Sequence, residues 1–259
     1  MEKIIVFGNS AYSEIANIWL RYIEKLGLLK DVIFIALDNE IEKNIRNYEV
    51  QTMKAPYDIK SRGIKEFWKF RCEIFLKILD SYGSFIHSDL DAIWLKNPAE
   101  ILKEIKTDLI FSQGTVHPRP MFDKFGLVAC CGFFFIRDSK GARLFLSLLK
   151  SDVQSTGDDQ VSVNKILYNY IDEFNFEDKY FEKVCLPNDQ IFSIKCSNKP
   201  IFGDFKNFYN VNFSVAILPH FLFPRLKDSV NKFSIVAHPL APKSNDEKIK
   251  LLKEINLFS

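Results

Sequence analysis

Apolar residues follow two spacings along this chain. Ile4-Ile5-Val6-Phe7 is a short unbroken run that stops at Gly8-Asn9-Ser10, as a buried strand does. The next apolar positions, Ile15, Ile18, Trp19, Tyr22, Ile23 and Leu26, recur every three or four residues and predict a helix with Gly27 as its C-cap. Val32 to Leu37 is a second continuous run, stopped by Asp38-Asn39. Strand, helix and strand within about 35 residues make a βαβ unit with parallel pairing.

The alternation continues. A helical stripe through Ile64, Trp68, Phe75, Ile78 and Tyr82 is capped at one end by Ser61 and ended by Gly83. Ser84 to His87 predicts a strand, and Pro98 opens a short helix. Leu109-Ile110-Phe111 and Gly132 to Ile136 predict strands, and Leu144 to Leu149 a helix. Gln113 to Leu127 holds two prolines and two glycines and reads as a mobile loop, placed to close over a ligand. A further helix runs from Gly157-Asp158-Asp159-Gln160 to Tyr170. Residues 171–232 read as irregular, with short strands near Val184 and Ala216. Phe233 to Ala237 is a last strand, and a terminal helix starts at Ser244 or Asn245 with Asp246 and Glu247 in its first turn. There is no repeat, low-complexity tract or linker. The prediction is one α/β domain over 1–259 with a mainly parallel sheet. In such a sheet ligands sit beyond the carboxyl ends of the strands, where Asn9, Asp38, Asp89 and His238 all fall.

Composition narrows the function. The chain has 259 residues, 47% hydrophobic and 26% charged, with a formal net charge of +2 and no long block of one sign, so no basic face points to nucleic acid. No apolar stretch approaches the roughly 18 residues that cross a membrane, and Met1 to Gly8 is too short for a signal peptide's apolar region. A soluble, cytoplasmic protein is expected. The five cysteines, Cys72, Cys130, Cys131, Cys185 and Cys196, include no CxxC pair, which argues against a disulfide framework or a zinc site.

Asp89-Leu90-Asp91 is the sharpest chemical feature. Two carboxylates one residue apart, just past an apolar strand and ahead of Ala92-Ile93-Trp94-Leu95, can turn toward one cation. Oxygen ligands of this kind suit Mg²⁺ or Mn²⁺, ions that bridge protein carboxylates to phosphates. Arg71 lies on the apolar stripe of its helix; it either reaches a buried carboxylate or phosphate or snorkels to the surface. His238, at a strand end, can complete a mixed oxygen–nitrogen site. His87, His117 and His220 read as hydrogen-bonded structural residues. Asp158 reads as a helix cap, a role that explains less of Asp159 and Gln160.

Taken in order, Asp89-Leu90-Asp91-Ala92-Ile93-Trp94-Leu95-Lys96-Asn97-Pro98, Gly132-Phe133-Phe134-Phe135-Ile136-Arg137, Asp159-Gln160 and Val236-Ala237-His238 resemble the nucleotide-diphospho-sugar transferases. The set is similar to the retaining GT-A glycosyltransferases of the plant and slime-mould α-glycosyltransferase type, and more distantly to the glycogenin and lipopolysaccharide galactosyltransferase group. The similarity spans roughly Ile4 to Lys253 and is poor over 171–210. It implies a hexosyl- or pentosyltransferase of GT-A, Rossmann-like fold that builds glycans. Residues 1–110 would form the nucleotide-binding half and 111–259 the acceptor and sugar-binding half. Asp89, Asp91 and His238 would hold Mn²⁺ or Mg²⁺ on the diphosphate of a UDP-sugar. Asn9, Tyr12, Asp38, Arg71, Leu90 and Lys243 or Lys248 would bind the donor, with Tyr12 on the uracil. Asp158, Asp159 and Gln160 would face the reacting sugar, and the acceptor would be a glycan or other hydroxyl. Where the family often has Asn-Ser-Gly this chain has Cys130-Cys131-Gly132, and Pro239-Leu240-Ala241-Pro242 replaces the usual residues after His238.

Charge chemistry supports that reading. The diphosphate gains negative charge as the sugar leaves, and a divalent ion with Arg71 and a lysine stabilises it. Front-face attack and a covalent intermediate both remain open. Rival readings are a phosphohydrolase with Asp89 as nucleophile, a nucleotidyltransferase, and a sugar-nucleotide-binding module without turnover. The first lacks a clear second acidic motif, and the second a glycine-rich phosphate loop near Gly8.

Overall fold

A computed structural model of the chain describes residues 2–56, 63–186, 190–205, 213–240 and 244–255. The first strand, β1 (Lys3–Gly8), leads through a 3₁₀ turn into α1 (Ser13–Lys25), which ends where Gly27 takes a positive φ. Then follow β2 (Val32–Ala36), α2 (Asn39–Ile45), β3 (Gln51–Lys54), α3 (Ile64–Tyr82), β4 (Phe85–Ser88), β5 (Ile93–Trp94) and α4 (Ala99–Glu104). The second half runs β6 (Leu109–Gln113), α5 (Arg119–Phe125), β7 (Ala129–Ile136), α6 (Lys140–Thr156), α7 (Asp159–Tyr170), β8 (Ile171–Asn175), β9 (Lys179–Cys185), β10 (Ile191–Ser197), β11 (Ile201–Phe205), β12 (Val215–Ile217), β13 (Val236–Ala237) and α8 (Asn245–Ile255).

Among the described residues the main sheet has the order β3-β2-β1-β4-β7-β6-β12-β11-β8. The pairs β3–β2, β2–β1, β1–β4 and β6–β12 are parallel, and β7 and β11 run against the rest. Strand neighbours alternate between the two faces. Ile5, Ile33 and Ile35 pack under α3, α6 and α7, while Ile4, Val6, Val32 and Phe34 pack under α1 and α8. The chain steps outward from β1 to β2 and β3, then returns to place β4 on the other side of β1. That reversal leaves a crevice at the carboxyl ends of β1 and β4, the place where such sheets bind ligands.

Three expectations need correction. The expected loop Gln113 to Leu127 contains α5, with Met121 and Phe125 buried against the core, and Gln113 itself ends β6. Pro118 and Pro120 mark the start of that helix, and Gly126, in the left-handed region at φ 75, ends it. Residues 171–232 are richer in strand than expected: the strands expected near Val184 and Ala216 are β9 and β12, but β8 and β11 also extend the main sheet beyond β12, and β10 pairs with β9 in a separate antiparallel ribbon. The last strand is shorter than Phe233 to Ala237 and pairs β13 with β5. The Ser61 cap falls outside the described residues, and Gly63 holds the N-cap position of α3. At α8 the hydroxyl of Ser244 accepts from the Glu247 backbone N–H, the bond of an N-cap, and donates to the Glu247 carboxylate. Cys185 is exposed, whereas the other four thiols are buried.

Candidate active site

The turn that carries the two aspartates is fixed from below. The Asp89 N–H donates to the Gly132 carbonyl at 2.7 Å, and the Ala92 N–H closes the turn on the Asp89 carbonyl at 3.1 Å. The buried Trp94 indole donates to the Ser88 hydroxyl, and the Trp19 indole to the Ala92 carbonyl. Leu90 is thereby driven into the core, and its two neighbours project from the sheet end. The β13–β5 pairing, Val236 opposite Trp94 and Ala237 opposite Ile93, then delivers His238 to the same place. Its Nε2 lies 3.1 Å from Asp91, and donor atoms of Asp89, Asp91 and His238 all fall within 4.8 Å of one another.

Gly132 shows how closely these groups converge. A Cβ there would meet His238 Cε1 at 2.0 Å, His238 Nδ1 at 2.5 Å and Asp89 Oδ2 at 2.8 Å. Two carboxylates and an imidazole around one point suit Mn²⁺ or Mg²⁺, and the glycine leaves the room they need. Without the ion, burial and Arg225 work against a charge on His238, but the Asp91 carboxylate outweighs them and pushes the imidazole up to about 9. Burial likewise opposes ionisation of Asp91, and its bonds to His238 and to Lys248 at 2.8 Å hold the carboxyl well below the usual range. Lys248 also lies 3.3 Å from the Tyr12 hydroxyl. Of the two lysines the sequence offered, Lys248 is the one at this site; Lys243 lies outside the described residues.

Arg71 is buried at 3% exposure and does not snorkel. Its guanidinium sits 3.7 Å from Asp89 and 3.4 Å from Asp159, and donates to the Cys131 carbonyl. It stacks over Trp68, with Phe7, Phe67 and Phe75 around it. His87 completes the support. Nδ1 lies 2.9 Å from the Ile5 carbonyl, to which only a protonated Nδ1 can bond, so a neutral ring offers Nε2 as acceptor to Arg71 at 2.7 Å. Burial, and next the Arg71 charge, bring this histidine down to about 4, which keeps it neutral. His87 is a structural histidine as expected, but what it supports is the site itself.

Asp158 caps α7, accepting from the Val161 N–H at 2.8 Å. Asp159 is buried, and burial raises its carboxyl to about 6 against the pull of Arg71. The Gln160 amide bridges two backbones, donating to the His117 carbonyl at 2.9 Å and accepting from the Cys131 N–H at 3.4 Å. Asp38 spends its carboxylate on local structure: it caps α2 through the Ile41 N–H and accepts from the Ser10 N–H and hydroxyl, all at 2.9 Å. Asp38→Ala is therefore expected to lower stability by about 1–2 kcal/mol, the range of a lost cap, as read from a urea melt. Among the described residues the buried side-chain amide oxygen of Asn9, in the same turn, has no partner.

Two cavities meet at the carboxylates. One, of about 440 Å³, is walled by Phe7, Asn9, Tyr12, Leu37, Ile64 and Phe67. The other, of about 340 Å³, is bounded by His117, Cys130, Asp159, Gln160, Arg225 and Leu240. Trp68, Arg71, Asp89, Asp91 and Lys248 line both. The junction is charged, one side largely apolar and the other polar.

The fold has counterparts among known proteins. The family model for nucleotide-diphospho-sugar transferases matches residues 27–250. The chain belongs to that family and is a glycosyltransferase. In fold it is similar to the galactosyltransferase LgtC, solved in complex with donor and acceptor sugar analogues: the TM-score is 0.56 at 9% identity, over 99% of this chain and 94% of that one. Looser likenesses are to the bifunctional glycosyltransferase WbbM (0.47, 11% identity, 65% of this chain and 37% of that one) and to mouse xyloside xylosyltransferase 1 (0.44, 11% identity, 65% and 82%), both in apo form. No curated protein sequence matches the chain. Among the described residues no helix is long and apolar enough to cross a membrane.

Proposed function

We propose that the protein moves a sugar from a UDP-sugar to a hydroxyl of a glycan or other acceptor, with Mn²⁺ or Mg²⁺ and with retention. The observation that carries this reading is the junction of the two cavities at Asp89, Asp91, Arg71 and Lys248. A nucleotide-sugar has the same order, with a flat apolar base at one end, a sugar at the other and a diphosphate between. In this reading the aromatic cavity takes the nucleoside, with Asn9, Tyr12 and Leu90 against it, and Asp38 acts through the turn it holds. Residues 1–110 supply most of that half and 111–259 most of the sugar side.

Asp89, Asp91 and His238 would hold the divalent ion, which supplies Lewis-acid neutralisation of the leaving diphosphate. Lys248 would exchange its bond with Asp91 for a phosphate oxygen, and Arg71 adds a fixed positive charge in a buried, preorganised position. Asp159 would present its carboxylate, and Gln160 the remaining lone pair of the amide oxygen that also accepts from the Cys131 N–H, toward the sugar, where positive charge develops as its bond to the diphosphate breaks. Asp158 contributes by starting α7 at the right place.

The test is calorimetry of UDP with and without Mn²⁺. UDP should bind at least about 100-fold more tightly with Mn²⁺ than in EDTA, and Asp91→Ala should remove that difference. Equal affinity in EDTA and Mn²⁺ would refute the metal-dependent reading.

A further inference from the structure

The sugar-side cavity is lined by Arg71, Lys248, Arg225 and His238. Arg71 is matched by Asp89 and Asp159, and Lys248 and His238 by Asp91. Arg225 differs. Among the described residues no carboxylate lies within salt-bridge distance of it; one Nη donates to the His238 carbonyl, and Nε is buried with no partner. A partly buried cation without a counter-charge is costly unless something else supplies the anion.

The residue is also held in place. Its N–H donates to His220 Nε2 at 3.0 Å, and its carbonyl accepts from the Leu240 N–H at 2.6 Å. His220 Nδ1 bonds the Glu182 carboxylate at 3.0 Å, and Ser229 donates to the same carboxylate at 2.6 Å. Glu182, Cys196 and His220 lie close enough together to suggest a second metal site. Both ring nitrogens of His220 are already used, however, so this group is a strut from the β9–β10 ribbon to the Arg225 backbone.

We propose that Arg225 is an anion-binding residue of the sugar-side cavity, taking a pair of phosphate or carboxylate oxygens from the bound substrate. The inference rests on the nucleotide-sugar reading and extends it. A guanidinium fork matches a planar two-oxygen group better than it matches a neutral hydroxyl. Two sources offer that chemistry: the sugar-bearing phosphate of the donor, or an acidic group on a sugar.

The experiment compares Arg225→Met and Arg225→Lys with the wild type in calorimetric titrations with UMP, UDP, UDP-glucose and UDP-glucuronate, all with Mn²⁺, and with free glucuronate added to the Mn²⁺–UDP complex. If the phosphate is the anion, Arg225→Met weakens UDP by about tenfold or more and leaves UMP unchanged. If an acidic sugar is the anion, UDP and UDP-glucose are unchanged, and UDP-glucuronate or free glucuronate weakens by about tenfold. In either case Arg225→Lys recovers part of the loss, and Mn²⁺ affinity, followed by electron paramagnetic resonance, stays at the wild-type value. Equal losses for every ligand, no loss for any, or a fall in Mn²⁺ affinity would show that Arg225 only holds the His238 carbonyl, and would overturn the proposal. A wild-type protein that binds none of the nucleotides with Mn²⁺ would defeat the nucleotide-sugar reading itself and this inference with it.

Discussion

Gly132→Ala is expected to abolish metal binding while leaving the chain folded. The new Cβ would overlap the His238 ring and crowd the Asp89 carboxylate, at 2.0 and 2.8 Å. The backbone has little room to retreat, because the Gly132 carbonyl accepts the Asp89 N–H and the paired residues to either side, Cys130 with β6 and Phe133 with β4, hold the strand. One or both ligands must therefore turn away. Overpacking of this kind costs about 1–3 kcal/mol of stability. The functional loss is larger: with a ligand displaced, Mn²⁺ affinity should fall by about 100-fold or more and transfer with it. Paramagnetic resonance titration beside a thermal melt separates the two effects. A Gly132→Ala protein that binds Mn²⁺ like the wild type would show that the two ligands are not held as described.

Arg71→Met should cause the largest loss of stability. It leaves Asp159 buried, and Asp89 beside it, without the cation between them. Removing one partner of a buried ion pair costs about 3–5 kcal/mol, on the order of 10 °C in melting temperature for a chain of this size. The effect has a pH signature. Asp159 already titrates near 6 in the folded protein, above the ordinary carboxyl value. Between those two values the folded state binds more protons than the unfolded one, so stability falls as pH rises. Without Arg71 the folded value moves higher still and the window extends upward. The variant should therefore be least damaged near pH 5 and most damaged at pH 8, and Asp159→Asn should recover part of the loss in the double variant. A deficit independent of pH, with no recovery, would count against this pairing.

The parts of the fold legible in sequence were those with unbroken apolar runs, such as Ile4 to Phe7, or a clear helical stripe, such as Ile15 to Leu26. α5 was hidden because Pro118, Pro120 and Gly126 look like loop residues when counted, although their positions are those of a helix start and stop. After Tyr170 the strands near Val184 and Ala216 were legible, but β8 and β10 were hidden because much of each faces solvent, so Asp172, Glu173 and Lys195 interrupt the apolar signal. In the site, Asp89, Asp91 and His238 were legible by their place at strand ends, and the structure brings their donor atoms together. The place of His87 beneath the site and the proposed role of Arg225 were not. Their roles depend on what folds against them, Ile5 and Arg71 in one case and His220 and His238 in the other. No local pattern carries that information.

The short pairing of β13 with β5 has a kinetic consequence. Asp89 and Asp91 are in place once β4 has docked beside β1, but His238 arrives only when a segment from the far end of the chain closes over β5. A contact of such long sequence separation forms late; each strand has only two residues, and the rest of the hold comes from single backbone bonds, the Leu95 and Lys96 N–H groups to the Ile235 carbonyl and the His238 N–H to the Pro224 carbonyl. In the proposed reading an ion held by all three residues would bind the closed form alone, so raising its concentration would lower the fraction of open tail. The residues around β13 would then act as a latch, and amide exchange along β13 and α8 would record how firmly bound substrate keeps it shut.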